Sequence, residues 1–224
     1  MKKITLSVVL SFIVFGFSSA QQRGFHIGGI GGYNAIGILN RLLPEQAYHI
    51  TCSPQYGFAS GYNFNHYLGL QVELVNSHQG QKAENSSNQI VEEVNLHYLQ
   101  LPILFQFADG DEFSQFYLTF GPQFGFLKDA QITTPAAGMI QAKDRFEKHE
   151  TGILLELGTY SGLSHDYAES RSHHLLCWSV GLRFYYGLTD INTPQYRIPI
   201  PGKNYQKATN VAAGINIGIH WIIR

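Results

Sequence analysis

Hydrophobic and polar residues alternate along residues 95–107. Leu99, Leu101, Ile103, Phe105 and Phe107 share one parity. Tyr98, Gln100, Pro102 and Gln106 share the other, with Leu104 the one aliphatic residue among them. Successive side chains of a strand point to opposite faces, so the segment predicts a strand with one apolar and one mostly polar face. The pattern recurs at 25–38, 50–62, 66–76, 114–128, 151–160, 174–188 and 209–223. In 66–76, Leu68, Leu70, Val72 and Leu74 oppose Gly69, Gln71 and Glu73. In 209–223, Val211, Ala213, Ile215, Ile217, Ile219 and Trp221 oppose Ala212, Gly214, Asn216, Gly218 and His220. Pro102 has no amide hydrogen to donate, so a bulge or a missing ladder bond is expected beside it.

These eight segments of roughly ten to fifteen residues are even in number, and each is long enough to cross a bilayer when tilted. Their connections largely alternate in length. Residues 39–49, 77–93, 128–148 and 188–208 read as long loops, 63–65 and 108–113 as short turns, and 161–172 as intermediate. The mostly polar faces carry Gln71, Glu73, Gln100, Gln106, Gln123, Glu156, Arg183, Asn216 and His220. That set suits a narrow, hydrogen-bonded interior better than a solvent-facing surface, which would be richer in Lys, Glu and Asp. Tyr62, Phe64, Tyr67, Phe105, Phe107, Phe113, Phe116 and Trp221 gather at the short-turn end, where an interfacial girdle belongs. The prediction is an all-β fold, an eight-stranded antiparallel up-and-down transmembrane β-barrel with both termini periplasmic. A soluble, secreted lipocalin-like barrel that binds a ligand also has eight up-and-down strands, but it has no reason to place its long loops at one end.

Composition adds a compartment. Lys2 and Lys3 precede an apolar stretch over 4–17, and Ser18-Ser19-Ala20 follows, the pattern of a secretory signal cut after Ala20. The expected organisation is therefore a signal peptide at 1–20 and an outer-membrane barrel domain at 21–224. Gln21 and not Cys stands immediately after the cleavage site, which argues against a lipoprotein, and no later segment is apolar for helical spanning length. Charged residues make up 14% of the chain and the net charge is −1, so a nucleic-acid partner lacks an electrostatic basis. The Gly28-Gly29 and Gly31-Gly32 pairs lack the helix that a dinucleotide fingerprint requires.

Candidate chemistry is sparse. Glu73, Glu156 and Arg183 take the inward parity on three strands. Because buried charges must be paired, they are expected to form an ion-pair network across the lumen, within a polar lining that includes Gln71, Gln100, Gln106 and Gln123. This network is structural; no catalytic, cofactor-binding or metal residue is assigned, and no cofactor is expected. His173-His174 point to opposite faces and make a poor metal pair, and Ser164-His165-Asp166 is contiguous, so it cannot adopt relay geometry. Ser77 and His78 sit near the long-loop rim on opposite parities. Cys52 falls outward and Cys177 inward, which keeps their sulfurs apart.

Three segments carry a family resemblance. Leu96-His97-Tyr98-Leu99-Gln100-Leu101-Pro102-Ile103-Leu104 resembles the "YLEIP-hydrophobic" strand of PorT-type outer-membrane β-barrel proteins. Leu68 to Leu74 resembles the strand before it, and Tyr117-Leu118-Thr119-Phe120-Gly121-Pro122-Gln123-Phe124-Gly125 resembles the "GP" strand after it. The resemblance covers the middle third of the mature chain and implies an eight-stranded, porin-like barrel of the Gram-negative outer membrane. One family member is linked to protein secretion. The chain ends Trp221-Ile222-Ile223-Arg224, not in the terminal Phe of many such barrels.

The expected function is a non-enzymatic envelope component that presents external loops around Ser86, Gly138 and Tyr196. The expected partners are membrane lipid, lipopolysaccharide and proteins of an envelope or secretion complex, with neither nucleic acid nor metal. The alternative is a lipid-modifying barrel enzyme. It would need a Ser-His-acid cluster on outward residues near the external rim. Diffusion is disfavoured, because eight strands leave an interior filled by side chains.

Overall fold

The computed structural model describes residues 24–39, 47–65, 67–85, 87, 89–110, 114–162, 174–199 and 204–223. The leader expected over 1–20, Ser86, Phe113, Ser164-His165-Asp166, His173 and Arg224 lie outside the described residues. The strands are β1 (Gly24–Leu39), β2 (Ala47–His49), β3 (Thr51–Asn63), β4 (Leu68–Glu84) and β5 (Ile90–Gly110). They continue with β6 (Ser114–Thr134), β7 (Gly138–Gln141), β8 (His149–Gly162), β9 (His174–Gly187) and β10 (Thr209–Ile223).

All but the short β2 and β7 form a closed antiparallel wall, in the order β1, β3, β4, β5, β6, β8, β9, β10 and back to β1. The first and last strands pair from Phe25↔Ile223 to Leu39↔Thr209. Closure leaves the wall without an edge, which a sheet in hydrocarbon requires.

The two faces are inverted relative to a soluble barrel. Phe58 is 71% and Phe116 73% exposed on the outside, whereas Glu73 is 1% and Arg183 4% exposed inside. The outward and inward parities follow the alternation in all eight segments. Tyr62, Phe64, Phe105, Phe107, Phe116 and Trp221 are exposed toward the short-turn end. Cys52 is exposed and Cys177 buried, and both are free thiols.

Beside Pro102 the ladder is interrupted without being shifted, and on the β6 side the gap lies opposite Pro122. Toward β4 the pairing passes from Val72↔Ile103 to Val75↔Gln100, and toward β6 from Pro102↔Gln123 to Phe105↔Phe120. The register is the same on both sides of each gap, so the outcome is missing pairing and not a bulge.

The expected loop boundaries need correction at the long-loop end. Most of the expected loop 77–93 is strand: β4 runs to Glu84, β5 starts at Ile90, and they stay paired from Ser77↔Tyr98 to Lys82↔Glu93. Residues 128–148 are only partly loop, since β6 runs to Thr134 and returns as β7 through Gln131↔Gln141, leaving 142–148 as the connection. β2 lies within the expected first loop and pairs with Lys82–Glu84 of β4. Strands β2, β4, β5, β6 and β7 thus form a sheet standing beyond the barrel. Alternation fails there because the outward positions change from Leu and Phe to His78, Lys82, Glu93, Asn95 and His97.

A bulge lies at the junction. His97 pairs with Asp129 and Tyr98 with Leu127, leaving Lys128 between them. The extra residue reverses the parity of β6, so Ala130 and Ile132 turn inward and are buried.

Candidate functional site

The lumen is occupied by a hydrogen-bonded chain centred on Arg183. Its Nη1 lies 2.8 Å from Glu73 Oε2, and its Nη2 donates to Glu73 Oε1 at 2.9 Å. Its Nε donates to Glu156 Oε2 at 2.5 Å. Glu156 and Arg183 are register partners on β8 and β9, while Glu73 reaches in from β4 across the barrel. One guanidinium therefore bridges two carboxylates, the planar fork being suited to bidentate pairing.

Neutral groups extend the chain. Tyr117 donates to Glu156 Oε1 at 2.5 Å, Gln71 donates to Glu73 Oε1 at 2.7 Å, and His26 Nε2 lies 3.2 Å from Gln71 Oε1. The Asn216 side-chain amide lies against the same site, 3.3 Å from Glu156 Oε2. Gly181 makes room for this crowding, because a Cβ there would stand 2.5 Å from the Tyr117 hydroxyl and 2.8 Å from Glu156 Oε1.

The structure thus brings Glu73, Glu156, Arg183 and Gln71 together. Gln100, Gln106 and Gln123 are buried in the lumen, but no hydrogen bond among the described residues joins them to Arg183. Tyr117, His26 and Asn216 are members that residue charge alone did not select. Their inward parity was the available signal.

A second polar group lies nearer the long loops, where Asn210 donates to Glu150 Oε2 at 2.8 Å beneath Tyr98. Above it the character of the interior changes. Val94, Leu96 and Tyr98 from β5, with Leu127, Ala130 and Ile132 from β6, pack against Ala142, Phe146, Ile191 and Ala208 of the connections. This apolar cluster roofs the lumen.

The roof is held by hydrogen bonds between the two connections. Glu147 N donates to Ile191 O at 2.8 Å, and Thr193 N to Arg145 O at 3.0 Å. The Asp190 carboxylate accepts from Tyr205 Oη at 2.9 Å and Asn192 N at 3.1 Å, and Arg197 Nε stands 3.0 Å from it. Burial and the neighbouring Asp190 raise the Tyr205 phenol above its ordinary pKa, so it remains a donor at neutral pH. Tyr196 donates to Asp144 at 3.3 Å, and Arg145 stands over the Tyr196 ring.

For hydrolytic chemistry, Ser179 Oγ lies 3.0 Å from His220 Nε2. Both are buried in the lumen toward the short-turn end. Ser77 is buried and His78 exposed, so they do not form a pair at the rim. Among the described residues no group of three His, Cys, Asp or Glu side chains can hold a metal ion. A groove of about 600 Å³ between β1 and β10, lined by Gly29, Gly31, Tyr33, Ile215 and Ile217, lies on the outer wall.

The family described as "Outer membrane protein beta-barrel domain" matches residues 18–192. No curated protein matches the chain. Among solved structures, the chain is similar to the outer membrane protein OprG from Pseudomonas aeruginosa, at 15% identity and a TM-score of 0.49, covering 90% of this chain and 97% of that one. It is also similar to Neisserial surface protein A, at 10% identity and a TM-score of 0.49, covering 88% and 96%. A third is Ail, the attachment invasion locus protein of Yersinia pestis, at 10% identity and a TM-score of 0.44, covering 89% and 99%.

Proposed function

The chain belongs to the outer membrane protein β-barrel domain family of the Gram-negative outer membrane, and from that premise we propose that it is a non-enzymatic, closed barrel serving as an accessory envelope component. The observation that carries this reading is the double occlusion of the lumen, by the Arg183 ion pairs and by the apolar roof. Among the described residues both barriers cross the lumen, which argues against diffusion, and the one Ser–His pair described above is enclosed. The surface left for work is the cap beyond the barrel, built from the extensions of β4, β5 and β6 and the connections around Phe146 and Ile191. Residues 1–20 act as the export signal, both termini face the periplasm, and the cap faces outward to meet lipopolysaccharide and proteins of an envelope or secretion complex. The PorT-type strand pattern at Tyr98–Ile103 supports placing it beside PorT-like proteins. "Porin-like" then describes its shape and not its activity.

Photo-crosslinking in intact cells tests this reading. A photoreactive residue at Met139 or Ile198, both strongly exposed on the cap, is expected to give discrete protein adducts. The same residue at Leu155 on the lipid-facing wall is expected to give none. Adducts absent from the cap, together with proteoliposomes that swell in a small sugar, would contradict it.

A further inference from the structure

We propose that the rim of the cap over the β6–β8 seam is a binding surface for the phosphate groups of an anionic lipid of the outer leaflet, with Lys128, Lys143 and Lys148 as its cations. The proposal rests on the outward orientation of the cap given under the proposed function.

The three lysines converge by backbone geometry. Lys128 is the bulge residue of β6. Lys143 Nζ donates to the Lys128 carbonyl at 2.7 Å, and Leu127 N donates to the Lys148 carbonyl at 2.9 Å. All three are exposed. They stand just beyond Phe126, the last outward aromatic of β6, whose ring meets that of exposed His149 at 5.5 Å. The patch therefore lies at the height where the hydrocarbon-facing wall ends and headgroups begin.

None of the three forms an ion pair among the described residues, unlike two other cations of the cap. Elsewhere on the cap Lys82 pairs with Glu93, and Arg197 with Glu147 and Asp190. Lys128, Lys143 and Lys148 have no carboxylate partner among the described residues. The acids nearest in sequence are engaged elsewhere. Asp129 accepts from Gln131, Asp144 from Tyr196 and Glu147 from Arg197, and Glu150 points into the lumen. Apart from luminal Arg183, every Lys and Arg among the described residues lies at this end of the molecule. Exposed ammonium groups beside a membrane attract anionic headgroups, and each adds to the affinity. Phosphate on a lipid anchored in the outer leaflet, as in lipid A, matches this set in charge and height.

The test titrates the purified full-length protein in detergent with bisphosphorylated lipid A and with lipid A stripped of phosphate. Lys128→Gln/Lys143→Gln/Lys148→Gln is expected to bind the phosphorylated form roughly 100-fold more weakly. The corresponding triple Arg variant is expected to retain binding, and Lys82→Gln to match the wild type. Heat-shifted migration on gels reports that each variant is folded. Binding should also weaken as salt is raised. Equal binding of the stripped lipid, or wild-type binding by a folded triple Gln variant, overturns the proposal. Competition by inorganic phosphate at matched phosphate concentration overturns the lipid as its source. Orientation is read separately, by an impermeant maleimide on intact cells carrying Ala136→Cys and Cys52→Ser. Labelling supports the outward cap. Absence of labelling overturns that orientation, and with it lipid A as the natural ligand, while the selectivity measured in detergent stands on its own.

Discussion

Strand β5 faces two different environments along its length. Below residue 98 its outward side chains are Leu99, Leu101, Ile103, Phe105 and Phe107, and its inward ones include Gln100 and Gln106. Above it the outward side chains are His97, Asn95 and Glu93, and the inward ones are Leu96 and Val94. The inward parity never changes, yet the apolar side moves from outside to inside. The barrel region and the cap are therefore two folding problems on one set of strands. Where hydrocarbon surrounds the wall, the interior can be polar if its groups pair with one another. Where water surrounds it, the inward faces of β5 and β6 are apolar, while β4 keeps Gln79 and Gln81 inside. The Lys128 bulge marks this change on β6, turning Ala130 and Ile132 into the apolar cluster.

The contrast is broken most severely by Arg183→Met. It leaves Glu73 and Glu156 facing each other without a cation, and is expected to cost about 3–5 kcal/mol in urea unfolding from lipid vesicles. Adding Glu73→Gln and Glu156→Gln should restore most of that loss, which would show that the burden is uncompensated charge. In the cap, Phe146→Ala is expected to cost about 3–5 kcal/mol locally. It should appear as faster hydrogen exchange and protease nicking around 142–147 and 189–193, with the barrel still heat-modifiable on gels. On the wall, Leu155→Arg places a charge in hydrocarbon and is expected to cost about 2–4 kcal/mol. The same charge at Asn95, outward on the cap, should change stability by less than about 0.5 kcal/mol. An effect of similarly small size is expected from Lys82→Gln. This cap pair with Glu93 is worth about 0.2–1 kcal/mol, and the effect should fade at high salt.

How much of this could be read from the chain depends on the same contrast. β10 is predicted at 209–223 and observed at Thr209–Ile223, because Ile215, Ile217 and Ile219 alternate with Asn216, Gly218 and His220 throughout. The inward placement of Glu73, Glu156 and Arg183 followed from parity alone. β4 beyond Asn76 was not legible, since His78 and Lys82 outside oppose Gln79 and Gln81 inside, and neither face is apolar. β6 beyond Lys128 was hidden by the bulge, which breaks the period at one residue. Glu150 lies one position before the predicted start of its strand, so its pairing with Asn210 was lost with the boundary. Which neutral groups complete the Arg183 network, as with Tyr117 and His26, depends on barrel closure and leaves no local mark.

The central claim is that the lumen is closed twice, by ion pairs within the membrane region and by an apolar roof above it. Planar-bilayer recording of the purified full-length protein tests it most directly. The account predicts no steady conductance from the wild type. It also predicts none from the roof variant Phe146→Ala/Ile191→Ala, because the Arg183 network still fills the barrel. Stable, stepwise conductance from the wild-type protein would contradict it.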